Sequence, residues 1–236
     1  MQSVTERLVE ELTGCTEQHL FRRQDGFLVH PQLQDAFETM CQAAQQEGIT
    51  IKIVSAFRSF ERQALIWQNK LSGKRPVFDI HGGTVDIETL TGAAKLAAVL
   101  LYSALPGASR HHWGTDLDIY DAAAIDESYQ VQLSTEEYSA NGPFARLVAW
   151  LDEHAHRYGF FMPYQAYQGG VAAEPWHISY QPLSSQYLAK INVQIIRQCL
   201  LKHPVAEQTL VLDNLQWIVQ QFVQNICPTK VVSQNR

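Results

Sequence analysis

The 236-residue chain is predicted to fold as a mixed protein of the α+β class. Segments whose apolar residues recur at helical spacing alternate with short runs rich in β-branched residues. No internal repeat or low-complexity tract interrupts that alternation. The length suits one large domain, or one domain with an appendage, and allows a substantial core.

After His30 and Pro31, the residues Leu33, Phe37, Met40, Cys41 and Ala44 keep helical spacing as far as Gly48, a helix stop. TIKIVSAF, Thr50 to Phe57, reads as a buried strand. Ser59 can cap a helix reaching Leu71, which the stretch SGKRP breaks, so Arg58 sits at a strand-to-helix turn. Ala93 to Leu105 is predicted helical and is ended by PGAS, and TDLDIY then alternates like a strand. Asn141, Gly142 and Pro143 open a helix with Pro143 at its first position and Gly159 at its end. A loop through Gly169 and Gly170 leads to EPWHISY, which enters a strand. From Ser184, two apolar stripes, Leu188 to Cys199 and Val211 to Ile226, predict two C-terminal helices packed on the core or on a partner.

A net charge of −6 without any Lys/Arg run excludes a nucleic acid or an anionic membrane as the main partner. Cys15, Cys41, Cys199 and Cys227 form no C-x-x-C pair and read as buried thiols. Glutamates interrupt the opening MQSVTERLVEELTG where an export signal needs an apolar core, and no apolar run approaches the ~20 residues of a membrane span. The expectation is a soluble, cytoplasmic protein; a periplasmic one follows only if a signal has been trimmed.

The stretch SRHHWGTDLDIY carries the first sign of chemistry. A catalytic zinc site takes three imidazole or carboxylate ligands and keeps a position for water. His111 and Asp118 are seven apart, which puts them on opposite faces of one continuous strand, but a turn or bulge at Gly114 lets them converge. Glu174-Pro175-Trp176-His177 supplies a third ligand in His177 and leaves Glu174 free to take a proton from water and return it to the leaving amine. Arg58 is the cation for an oxyanion or for a substrate carboxylate. Ser109, Gln63, Trp176 and Tyr180 are candidate substrate contacts. His112 points away from the ligands, His81 and Asp86 in IHGGTVDI belong to a turn or a substrate-side loop, and His154 and His156 form no pair.

SAFRSFERQ, PGASRHHWGTDLDI and EPWHISY, in that order, resemble the signature blocks of the M15 or LAS zinc metallopeptidases, the D-alanyl-D-alanine carboxypeptidases related to vancomycin-resistance enzymes. The family pattern S-x-H-x-x-G-x-A-x-D falls on Ser109, His111, Gly114, Asp116 and Asp118, E-x-W-H on Glu174, Trp176 and His177, and S-x-Y-R-S on Ser55, Phe57, Arg58 and Ser59. The resemblance implies one Zn2+ held by His111, Asp118 and His177, with Glu174 as general base and Arg58 stabilising substrate or intermediate. It also implies a mainly antiparallel central sheet flanked by helices, in a catalytic domain over 1–183 with a helical extension over 184–236 packed on it.

The implied partner is a D-amino-acid-containing peptide of peptidoglycan type, and the implied reaction is foremost D-alanyl-D-alanine carboxypeptidase action. L,D-carboxypeptidase or endopeptidase action at the same site, and a non-catalytic zinc-holding peptide-binding module, are the alternatives; a free Glu174 weighs against the module. Two residues depart from the pattern, Asp116 in place of alanine and Phe57 in place of tyrosine. Asp116 can face away, hydrogen-bond an imidazole or alter substrate choice. Without an export signal, a cytoplasmic precursor, a recycled muropeptide or a dipeptide is the consistent substrate.

Overall fold

The computed structural model describes residues 4–229, so the end of the expected C-terminal extension, 230–236, lies outside the described residues. Along the chain run α1 (Val4–Thr13), the strands β1 (Phe21–Arg22) and β2 (Leu28–Val29), α2 (Gln34–Gln46), β3 (Ile51–Ser55) and α3 (Phe60–Leu71). There follow β4 (Val77–Phe78), β5 (Thr84–Val85), α4 (Gly92–Leu100), β6 (Asp116–Asp121), α5 (Ala145–His154), β7 (Phe160–Phe161) and β8 (His177–Tyr180). Four helices follow among the described residues: α6 (Gln181–Lys190), α7 (Val193–Lys202), α8 (Gln208–Asp213) and α9 (Leu215–Ile218), the last continued by a π turn over Val219–Val223.

The main sheet is antiparallel, in the order β3-β6-β8-β7, and β1–β2 and β4–β5 are separate two-stranded hairpins. Strand period two splits β6 and β8 between two environments. Leu117, Ile119 and Ile178 face a core filled by Phe37, Met40, Leu147 and Phe160 from α2, α5 and β7. A second core lies among α3, α4 and the C-terminal helices, where Trp67, Leu96, Leu100, Ile196, Leu200, Leu215 and Ile218 are buried. Full burial of each large aliphatic side chain contributes about 1.5–3 kcal/mol. Among the described residues no helix is long and apolar enough to cross a membrane.

Ser59 caps α3 as its position predicts, its hydroxyl accepting from the Arg62 amide at 3.2 Å. Three expectations are corrected. The helix expected over Ala93–Leu105 stops at Leu100, because the Leu101 and Ala104 carbonyls accept instead from the Ala172 amide and the Gln63 side chain. Pro143 does not start a helix: the Phe144 amide turns back to the Glu137 carbonyl, and α5 begins at Ala145. The predicted pair of C-terminal helices is four, because the Asn192 side chain accepts from the Gln194 and Ile195 amides and starts a new helix inside one apolar stripe. Glu207, at φ 59°, stands between the two stripes, and Asn214 divides the second one into α8 and α9. The four thiols are free; Cys199 and Cys227 are buried, whereas Cys15 and Cys41 are half-buried.

Candidate metal centre

The cross-strand register assembles the site. Asp118 pairs with His177 and with Ser55, and Asp116 pairs with Ser179, so all of these project on the face opposite Leu117 and Ile178. His111 arrives on a single 3-10 turn, Arg110–Trp113, which Gly114 ends at φ 68°. A Cβ at Gly114 would meet Leu20 Cδ2 at 2.5 Å and the His30 amide nitrogen at 3.0 Å, so only glycine serves there. The convergence expected of a turn at this glycine is thus achieved.

The Arg58 amide donates to the His111 carbonyl (3.1 Å), and the ring of His111 has its Nδ1 2.7 Å from the Ala56 carbonyl oxygen. A carbonyl only accepts, so Nδ1 carries the hydrogen and Nε2 presents a lone pair. In His177, Nε2 lies 3.0 Å from Asp116 Oδ1, which leaves the Nδ1 lone pair free. Both free nitrogens face one carboxylate: His111 Nε2 is 3.2 Å from Asp118 Oδ2, and His177 Nδ1 is 3.2 Å from Asp118 Oδ1. Ligand atoms of the three residues lie within 4.8 Å of one another, and the buried Asp118 Oδ1 has no well-aligned donor.

Two lone pairs converging on an ionised oxygen repel unless a proton or cation sits among them, and this donor set suits a catalytic zinc ion. The protonation behaviour agrees. Burial disfavours a charged His177, but its contacts with Asp116, Asp118 and Glu174 outweigh that and raise its pKa well above the ordinary value. Burial likewise would raise Asp118, yet His111 and His177 drive it far down.

Asp116 resolves its own alternatives by geometry. Besides His177 it accepts from Arg110 Nε at 2.7 Å and Thr115 Oγ1 at 2.7 Å, while Arg110 donates to Ser179 Oγ at 2.7 Å and lies 4.8 Å from the Trp113 ring. Burial opposes its charge, but Arg110 and His177 hold its pKa down to about 2. The carboxylate that departs from the family pattern therefore sits behind a candidate ligand and fixes that ligand's tautomer.

A cleft of about 520 Å³ opens over this face. Glu174 lines it, with Oε2 3.5 Å from His177 Nδ1, and so do Arg58, Ser109 and Trp176. Arg58 is clamped by Ser55 Oγ (3.1 Å) and Gln63 Oε1 (2.9 Å), with Asp118 Oδ2 3.8 Å away.

Two expected substrate contacts do not reach the cleft. Gln63 is fully buried behind Arg58, donating to the Ala104 carbonyl at 2.7 Å. Tyr180 lies on the core face of β8, its ring 5.2 Å from that of Phe160, because it is an odd number of residues from His177. His112 is wholly buried, with Nδ1 donating to the Arg58 carbonyl (2.6 Å) and Nε2 accepting from the Gly107 amide (3.0 Å). Burial lowers its pKa to about 3.

Sequence reading missed Tyr164, whose ring meets the edge of His177 at 5.1 Å, and the far wall at Leu133 and Glu136. IHGGTVDI proves to be the tip of the β4–β5 hairpin, and its Gly82 lines the cleft.

Residues 26–183 match the family described as VanY, D-alanyl-D-alanine carboxypeptidase, which is more than half of the chain. The chain belongs to the VanY family. An uncharacterized protein of Haemophilus influenzae is 31% identical to this VanY-family chain over 121 residues, 50% of this chain and 92% of the relative.

Solved structures with the same fold include a point mutant of a vancomycin-resistance D,D-pentapeptidase VanY in complex with Zn(II) (TM-score 0.50, 22% identity, 73% of this chain and 86% of that one). VanYB in complex with D-alanine-D-alanine is equally similar (0.51, 21%, 78% and 88%). So is the LD-carboxypeptidase LdcB (0.50, 22%, 74% and 79%).

Proposed function

We propose that this VanY-family protein is a zinc-dependent carboxypeptidase that removes the terminal D-alanine from peptides ending in D-Ala-D-Ala. The observation that carries the reading is a carboxylate, Glu174, standing in the cleft 3.5 Å from His177 Nδ1, beside the converging ligand atoms of His111, Asp118 and His177. A zinc ion held by His111 Nε2, Asp118 and His177 Nδ1 would supply Lewis acidity to the scissile carbonyl and to the attacking water.

Glu174 takes the proton of that water and delivers it to the leaving amine, so one residue serves both transfers. The Glu174 amide donates to the Tyr164 carbonyl (2.8 Å) and the His177 amide to the Glu174 carbonyl (3.0 Å), a turn that fixes base and ligand relative to each other. Arg58, pre-oriented by Ser55 and Gln63 beside Asp118, meets the charge that develops on the carbonyl oxygen, a role its nearness to the ligands supports over the binding of a remote carboxylate. Trp176, packed on Tyr138 at 5.4 Å, and Ser109 shape the cleft around the peptide.

The test is incubation of the zinc-loaded protein, with and without chelator, with defined peptides ending in D-Ala-D-Ala or in L-residue-D-Ala, and product identification by mass. Chelator-sensitive loss of one D-alanine from the first set is expected. Cleavage confined to the second set would reassign the specificity to L,D, and intact peptides throughout would remove the hydrolytic reading.

A further inference from the structure

The α3 wall of the cleft carries charge that hydrolysis does not use. Gln63, Ile66 and Lys70 stand at i, i+3 and i+7 and so share one stripe of the helix. Gln63 holds Arg58 at the catalytic end, while Ile66 and Lys70 line the cleft further on, and Arg75, just past the helix, lines the same wall. At 1.5 Å per residue Lys70 lies about 10 Å along the helix from Gln63.

Among the described residues neither the Lys70 nor the Arg75 side chain has an ion pair or hydrogen bond, although Asp118, Glu174 and Glu136 all line the same cleft. Burial brings the Lys70 ammonium down to about 8; Glu174 opposes the shift, and Arg75 and Arg58 add to it. Lys70 is half-buried and Arg75 exposed, so a partly desolvated ammonium and a solvent-facing guanidinium stand on one wall of a peptide-sized cavity with no ion-pair partner among the described residues.

We propose that Lys70 and Arg75 form an anion subsite that takes a carboxylate on the acyl side of the substrate peptide, about three residues before the scissile bond. The assignment to the acyl side rests on the carboxypeptidase reading. Only one residue follows the bond cut by such an enzyme, so a group about 10 Å from the reacting end, roughly three extended residues, precedes that bond. The preferred substrate class is then acidic: a peptide bearing a second carboxylate besides its C-terminal one.

Two peptides of equal length ending in D-Ala-D-Ala, one with Glu and one with Gln three residues before the bond, separate this claim from the hydrolytic one. Their affinities are measured calorimetrically on the zinc-loaded Glu174→Gln protein with and without the added pair Lys70→Met and Arg75→Gln. The Glu peptide is expected to bind about tenfold or more tightly at low salt, the gain of charge-assisted hydrogen bonds. That advantage falls to within about twofold in the added-pair variant and in high salt. In the protein with Glu174 intact, the same ratio appears in KM and not in kcat, and the double variant cleaves the Gln peptide at the parent rate.

Equal affinity for the two peptides, or a preference undiminished in the double variant, overturns the subsite. A binding preference that survives while neither peptide is ever cleaved keeps the subsite and overturns the hydrolytic reading instead.

Discussion

Along β6 and β8, successive side chains enter opposite worlds a backbone's thickness apart. On one side Asp118 and His177 line the cleft with Asp116 and Ser179 behind them, while Leu117, Ile119 and Ile178 face the core, and both sets are buried, with Asp116 and Leu117 alike at 0% exposure. Burial alone thus does not distinguish site from core; the partners do. The apolar side needs matching shapes, whereas each polar atom on the other side needs a named donor, acceptor or ion. A one-residue slip of register would exchange the two sets, so the core face also keeps the ligands aimed at the cleft. The 3-10 turn repeats the division, with His111 presenting a lone pair to the site and its neighbour His112 spending both nitrogens inside the protein.

The strongest way to break this contrast is His177→Ala, which is expected to bring bound zinc below stoichiometry by elemental analysis and hydrolysis to background. A fully loaded, active variant would dissolve the proposed ligand set. Glu174→Gln should separate chemistry from binding: kcat falls about 10²–10⁴-fold while zinc content holds. On the opposite face, Leu117→Ala is expected to cost about 2–5 kcal/mol in urea unfolding and to leave zinc affinity per folded molecule unchanged. An equal loss of affinity would mean that the two faces are not separable.

Asp116→Asn tests the link between them, with zinc affinity in a chelator competition expected to weaken about 10–100-fold. The smallest effect concerns His112, whose folded pKa of about 3 lies below its ordinary 6.5. The unfolded chain takes up that proton first as the medium is acidified, so the stability contribution is whole above the ordinary value and is lost as pH falls from there toward the folded one. At pH 5 the loss is about 2 kcal/mol, and it should be absent from the urea profile of His112→Gln.

The α+β class and the convergence of His111, Asp118 and His177 were both legible in the sequence. His111, Asp118, Glu174 and His177 stand in short blocks whose spacing carries chemistry, and Gly114 signalled the turn that lets two of them meet. Tyr180 and Gln63 were misplaced for want of orientation: the first sits on the wrong side of a strand, and the second is hydrogen-bonded behind Arg58, a contact that no spacing reveals. Asp116 could not be resolved from sequence because its meaning depends on Arg110 and Ser179, the latter brought in from another strand. The hairpins β1–β2 and β4–β5 were invisible because strands of two residues show no period. The C-terminal stripe concealed its breaks because Asn192 interrupts it without disturbing the apolar spacing.

Trp113, two positions after His111, stacks on Tyr187 of α6 at 5.8 Å between ring centroids and donates its indole hydrogen to the Leu12 carbonyl of α1 at 3.1 Å. Both braces lie outside the stretch that matches the family, which ends at residue 183 and starts at 26. The turn that presents His111 is therefore roofed from both sides of the matched stretch, by α1 before it and α6 at its far end. Shortening the polypeptide to its recognisable middle would strip the indole of its shelter and unseat an imidazole without touching a single motif.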